Sequence, residues 1–145
     1  MSSWPCRIAA IIAVPSGIMM ILMGGGHLSA IIGNAMANDV PFNFRLVSLL
    51  TTGGMLVLPG ILSVVMSYWI WKGRNWAFAT CTVSTTMLMI YLTLLMYMKA
   101  NDPAGAPSVG TELYIASIIV GSYLVVLVVA WSMHMIGNRS AASPA

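Results

Sequence analysis

Charge is what this chain has least of: three acidic and six basic side chains among 145 residues, beside two histidines and two cysteines. Soluble domains carry about 25% charged residues, and this one carries 6%. The shortage excludes several functions as well as solubility. A nucleic-acid site needs basic side chains clustered on one face, and a net charge of +3 scattered along the chain supplies none, so no nucleic-acid partner is expected. Ion carriers and pumps place ionisable residues inside their spans, at about 2.5–3.5 kcal/mol each, but no Asp, Glu, Lys or Arg lies deep in an apolar stretch here. Glu112 comes nearest, at the start of the last stretch, where a helix N-terminus favours an acid.

The scarcity of histidine and cysteine removes most metal and redox chemistry. Nothing has the spacing of a metal site, no Cys-x-x-Cys occurs, no glycine-rich phosphate loop follows a strand, and the serines have no nearby base. Cys6 and Cys81 are both expected on the reducing side, without a disulfide. The chain is read as not an enzyme, with no catalytic or metal-binding residue.

Apolar sequence is abundant: 59% of the residues are hydrophobic and the mean hydropathy is +0.92. The charged residues Arg7, Asp39, Arg45, Lys72, Arg74, Lys99, Asp102, Glu112 and Arg139 divide the chain into four long uncharged stretches. A bilayer core about 30 Å thick needs roughly 20 residues of helix at 1.5 Å each. The stretches therefore predict spans near 8–32, 46–71, 76–98 and 113–136. "KGRN" between the second and third is short enough only for a tight hairpin, so successive spans alternate in direction. The expected fold is an all-α integral membrane protein, one domain over 1–145, with four transmembrane helices in an antiparallel bundle. The polar tail 137–145 is expected to be disordered.

Basic residues set the orientation. With the N-terminus inside, the inner face holds Arg7, Lys72, Arg74 and Arg139, while Arg45, Lys99 and all three acids lie outside. Both termini are thus expected to be cytoplasmic. Trp4, Trp69, Trp71, Trp76 and Trp131 would then form an inner aromatic belt, and Phe42, Phe44, Tyr97 and Tyr114 an outer one. The first span resembles a secretory signal but is too long for the roughly 7–15-residue core of one, so it is expected to be retained. The segment "YWIWKGRNWA", aromatic residues around a basic turn, resembles the short inner hairpin of many small bacterial four-span proteins. The expected location is a bacterial inner membrane.

One stretch, "ILMGGGHLSAIIG", sets Gly24, Gly25, Gly26 and His27 inside an apolar span. Glycines there allow close approach by another helix or by a flat macrocycle. A packing role is the first expectation. A haem or (bacterio)chlorophyll ligated by His27 is the alternative, although no cofactor other than lipid is expected. His134 cannot complete a bis-histidine site, because the topology puts the two rings on opposite sides of the membrane; it is expected to be interfacial. "GGMLVLPG", Gly53 to Gly60, reads as a mid-membrane kink.

Small-xxx-small stripes complete the pattern: Ala9, Ala13 and Gly17, then Gly26 and Ala30, then Ser29 and Gly33, with Ser117 and Gly121 in the fourth span. Gly17, Gly24, Gly25, Gly26, Ala30 and Gly121 are the expected helix-packing positions. Thirteen methionines add an adaptable surface. The function expected is a non-catalytic accessory or structural subunit of a larger membrane complex, with other membrane subunits and lipids as partners. The alternatives are a tetrapyrrole- or metal-binding protein centred on His27, and a small oligomeric transporter or channel.

Overall fold

A computed structural model describes residues 4–39, 41–101 and 111–142. Residues 1–3, 40, 102–110 and 143–145 and the side chains of Phe44, Arg45, Thr111, Glu112 and residues 139–142, Arg139 among them, lie outside the described residues. Four helices make up the fold: α1 (Trp4–Ala37), α2 (Phe44–Trp71), α3 (Asn75–Asn101) and α4 (Thr111–Ala142). Each is long and apolar enough to span a membrane.

The helices outrun the apolar stretches that announce them. α1 has 34 residues, about 50 Å of helix, and α4 runs on through Gly137 to Ala142, where the sequence suggests a loose tail. Hydropathy marks only the portion at membrane depth; polar ends that favour helix add turns it does not register. Local chemistry sets the ends. The Asn43 side chain caps α2 by accepting from the Leu46 N–H at 2.9 Å. α2 closes with the Gly73 N–H on the Ile70 carbonyl and the Arg74 N–H on that of Trp69, with Gly73 left-handed at φ +70, the Schellman pattern that glycine permits. Pro15 and Pro59 both lie inside unbroken helix. Across the stretch expected to kink, the Ser63 hydroxyl donates to the Pro59 carbonyl at 2.8 Å.

Each helix packs on its neighbours in the chain, and α1 meets α4 to close a ring; the backbones of the diagonal pairs α1–α3 and α2–α4 stay apart among the described residues. Buried positions fall at alternating steps of three and four: Cys6, Ala10, Ala13, Gly17, Met20 and Gly24 on α1; Phe78, Cys81, Thr85, Leu88, Leu92 and Leu95 on α3; Leu113, Ala116, Val120, Tyr123, Leu127, Ala130 and His134 on α4. That 3.5-residue repeat is the seam of left-handed helix packing. Side-chain size, more than polarity, distinguishes the two faces of α1. Its interior is mostly alanine and glycine, with Cys6 and the larger Met20, whereas Ile8, Ile11, Ile18 and Leu22 are exposed.

The tightest contact joins α1 to α2. A Cβ on Gly17 would stand 2.6 Å from the Gly60 carbonyl oxygen, and one on Gly24 would stand 2.7 Å from that of Gly53. Position rises along α1 as it falls along α2. Deeper in the ring, Ser63, Cys81, Thr85 and Tyr123 are buried, and the Thr85 hydroxyl has no hydrogen-bond partner among the described residues.

Candidate functional site

The C-terminal half of α1 divides its small residues between two uses. Gly24 faces inward onto α2, as does Gly17 two turns earlier. Gly25, Gly26 and Gly33 have open space where a Cβ would stand, and Ser29 and Ala30 between them are exposed. Ser29 turns its hydroxyl back onto the Gly25 carbonyl at 2.8 Å. Of the residues singled out for packing, the fold thus brings Gly17 and Gly24 against another helix, and Gly121 into ordinary contact with Met89 at 3.7 Å. Gly25, Gly26 and Ala30 are not brought against any helix of this chain.

Beside that stripe is a cavity of about 270 Å³ walled by Leu22, Met23, Gly26 and His27 of α1, Thr52 and Leu56 of α2, and Leu113 and Ala116 of α4. It exists because Gly26 and Ala116 contribute almost no side chain at this level. Leu22 and Gly26 are exposed, so the cavity reaches the outside of the bundle. Its walls are apolar apart from two groups. His27 Nε2 is buried without a hydrogen-bond partner among the described residues. Thr52 is engaged: its hydroxyl donates to the Ser48 carbonyl at 3.0 Å and lies 2.8 Å from the Tyr91 hydroxyl on α3. A hydroxyl has one proton, so Tyr91 is the donor in that pair.

The chemistry on offer is one unsatisfied imidazole nitrogen in an apolar recess. An unpaired buried polar group is unfavourable by about 1–3 kcal/mol, which a molecule carrying a single complementary polar atom would relieve. The enclosed space is below the roughly 300–1,000 Å³ of drug-sized ligand sites. A tetrapyrrole would therefore have to lie across the open side, on the surface that Gly26 leaves bare. Among the described residues no three of His, Cys, Asp and Glu converge.

His134 has a different setting. It is buried, stacks on Phe78 with centroids 6.1 Å apart, and its Nε2 donates to the Gly73 carbonyl at 3.1 Å. The ring sits inside the bundle end and ties α4 to the α2–α3 hairpin, where the sequence suggests an interfacial residue. Ala116 and His134 are about 27 Å apart along α4, so the two histidines serve opposite ends. Thr52 and Tyr91 carry no sequence signal of their own; only the pairing of their helices reveals them. No protein-family model, curated protein or solved structure matches the chain.

Proposed function

We propose that the chain is a non-catalytic accessory or structural subunit of a larger membrane protein complex, docking through the outer half of α1. The observation that carries this reading is the split among the α1 glycines. Those at Gly17 and Gly24 are used up by α2, while Gly25, Gly26 and Gly33, with Ser29 and Ala30, present a second small-residue stripe that none of the described residues covers. In lipid, where apolar burial gives helices no reason to associate, such stripes are where backbones approach. Native membranes solubilised in mild detergent test it. Wild type should migrate with a larger assembly, and Gly25→Leu with Gly33→Leu should fold normally but migrate alone. Wild type migrating alone would refute the proposal.

We further propose that the bundle lies in a bacterial inner membrane, antiparallel throughout, with both termini cytoplasmic. Contacts between Gly17 and Gly60, Thr52 and Tyr91, Phe78 and Trp131, and the shared cavity of His27 and Leu113 support the alternation. Arg7, which lies over Trp71, and Lys72, over Tyr68, support the orientation by the positive-inside rule. Cysteines introduced at Asn101 and Ala142, in a background lacking Cys6 and Cys81, should be labelled from opposite sides of intact cells.

The orphaned His27 nitrogen favours a second reading, in which the cavity binds a small, mostly apolar molecule or the edge of a tetrapyrrole. The two readings are compatible, since the cavity adjoins the stripe.

A further inference from the structure

At the opposite end of α1 the surface changes character. A groove of about 460 Å³ runs between α1 and α2, walled at membrane depth by Ala10, Val14 and Ser67 and closed at its rim by Tyr68, Trp71 and Lys72. The Ser67 hydroxyl is turned onto its own helix, donating to the Val64 carbonyl at 2.7 Å, so the deep part of the groove is apolar in effect. Two cations stand at the rim. The Arg7 guanidinium lies 5.6 Å from the Trp71 ring centroid, and the Lys72 ammonium lies 5.5 Å from that of Tyr68. Both rings are largely exposed, Tyr68 at 60% and Trp71 at 40%. Aromatic faces hold a cation at one level. Arg74 is exposed in the same hairpin. Asp39, the acidic residue with a described side chain, lies beyond the far end of α1.

We propose that this groove binds one anionic phospholipid, with its phosphate between Arg7 and Lys72 and an acyl chain laid along Ala10 and Val14. The argument is charge complementarity joined to depth. Basic pockets between transmembrane helices attract anionic headgroups, and Trp and Tyr mark the level at which headgroups lie. A cationic rim directly above an apolar trough matches a molecule that is anionic at one end and hydrocarbon at the other. A soluble anion would use the rim and leave the trough empty. The inference is independent of whether the chain works as a subunit.

The test is native mass spectrometry of the full chain in mild detergent, titrated separately with dioleoyl phosphatidylglycerol and dioleoyl phosphatidylcholine. Wild type should retain one phosphatidylglycerol in preference to phosphatidylcholine. Arg7→Gln and Lys72→Gln should each weaken that retention about fivefold and leave phosphatidylcholine unchanged. Lys99→Gln makes the same charge change at the opposite end and should alter neither. Val14→Trp, which fills the trough with both cations intact, should also lose phosphatidylglycerol, and unchanged helical circular dichroism should show that each variant folds. Equal retention of the two lipids, an effect of Lys99→Gln as large as that of Lys72→Gln, full binding by Val14→Trp, or displacement of the lipid by inorganic phosphate would each overturn the proposal.

Discussion

Gly17 and Gly60 meet backbone to backbone: a methyl group on the first would stand 2.6 Å from the carbonyl oxygen of the second, and one on the second 2.8 Å from the carbonyl oxygen of the first. Seven residues along each helix, Gly24 and Gly53 repeat the relationship at 2.7 and 3.0 Å. The seven-residue interval keeps both pairs on one seam of a left-handed crossing. Because α1 and α2 lie this close, the other faces of α1 are left for α4 and for the surroundings of the bundle.

Gly17→Val and Gly24→Val should each destabilise the protein by about 1–3 kcal/mol, the range for forcing extra carbon into a packed interior. The opposing atoms are partly backbone carbonyls, which cannot rotate aside. Gly25→Val, one residue from Gly24, should stay within about 0.5 kcal/mol of wild type, as expected of a surface substitution. Thermal unfolding in detergent separates them. Equal losses at Gly24 and Gly25 would contradict the division of the glycine cluster described above.

Gly73→Ala should destabilise for two separable reasons. Left-handed backbone is unfavourable by roughly 1–2 kcal/mol for a residue with a Cβ, and that Cβ would also press on His134 Cε1 at 3.1 Å. In a double-mutant cycle with His134→Ala, the contact part should disappear and the backbone part remain. An additive cycle would mean that the ring moves aside without penalty.

Much of this architecture is legible in the residues. The spacing of nine charges marks four spans, and the tryptophans and basic residues that belong together do gather at one end: Trp69 packs on Trp76 at 5.6 Å, Trp131 on Phe78 and Arg7 on Trp71. The buried faces are far harder to read. A helix that must satisfy lipid outside and protein inside is apolar all round, so polarity loses its periodicity and only size remains. On α1 the size signal exists, as Ala13, Gly17 and Gly24, but it competes with Gly25, Gly26 and Gly33, which are equally small and point elsewhere. No property of a single glycine says which helix it faces. The cavity is hidden for a related reason: its walls come from positions near 27, 52 and 116, which share only a level in the bundle.

Tyr91→Phe should lower stability modestly, by about 0.6 kcal/mol and at most about 1.7 kcal/mol, the measured range for hydrogen bonds between membrane helices. The Thr52 hydroxyl keeps its bond to the Ser48 carbonyl, so no donor is stranded. Thr52→Val should have a similar effect, and the double variant should be scarcely worse than either single one. Additive losses would show that the two hydroxyls act on separate partners.

His27 gives a prediction whose sign depends on occupancy. Its Nε2 is buried and unpartnered among the described residues, which disfavours the empty fold by about 1–3 kcal/mol. Phenylalanine has a similar shape and no such nitrogen. In protein stripped of small molecules by extended detergent washing, His27→Phe should therefore raise the unfolding temperature. In protein taken gently from native membranes the same change should lower it if the cavity is occupied there, because a molecule that satisfies the nitrogen would no longer bind. Ala116→Leu separates the ring from the space, since it narrows the cavity while leaving the imidazole in place. It should abolish the difference between gentle and stripped wild type. Mass spectrometry of the organic extract identifies what is bound, and a visible absorption band lost with His27→Phe would assign it as a tetrapyrrole. If His27→Phe shifts the unfolding temperature in the same direction and by the same amount before and after stripping, nothing occupies the cavity and the nitrogen is simply a penalty the bundle tolerates.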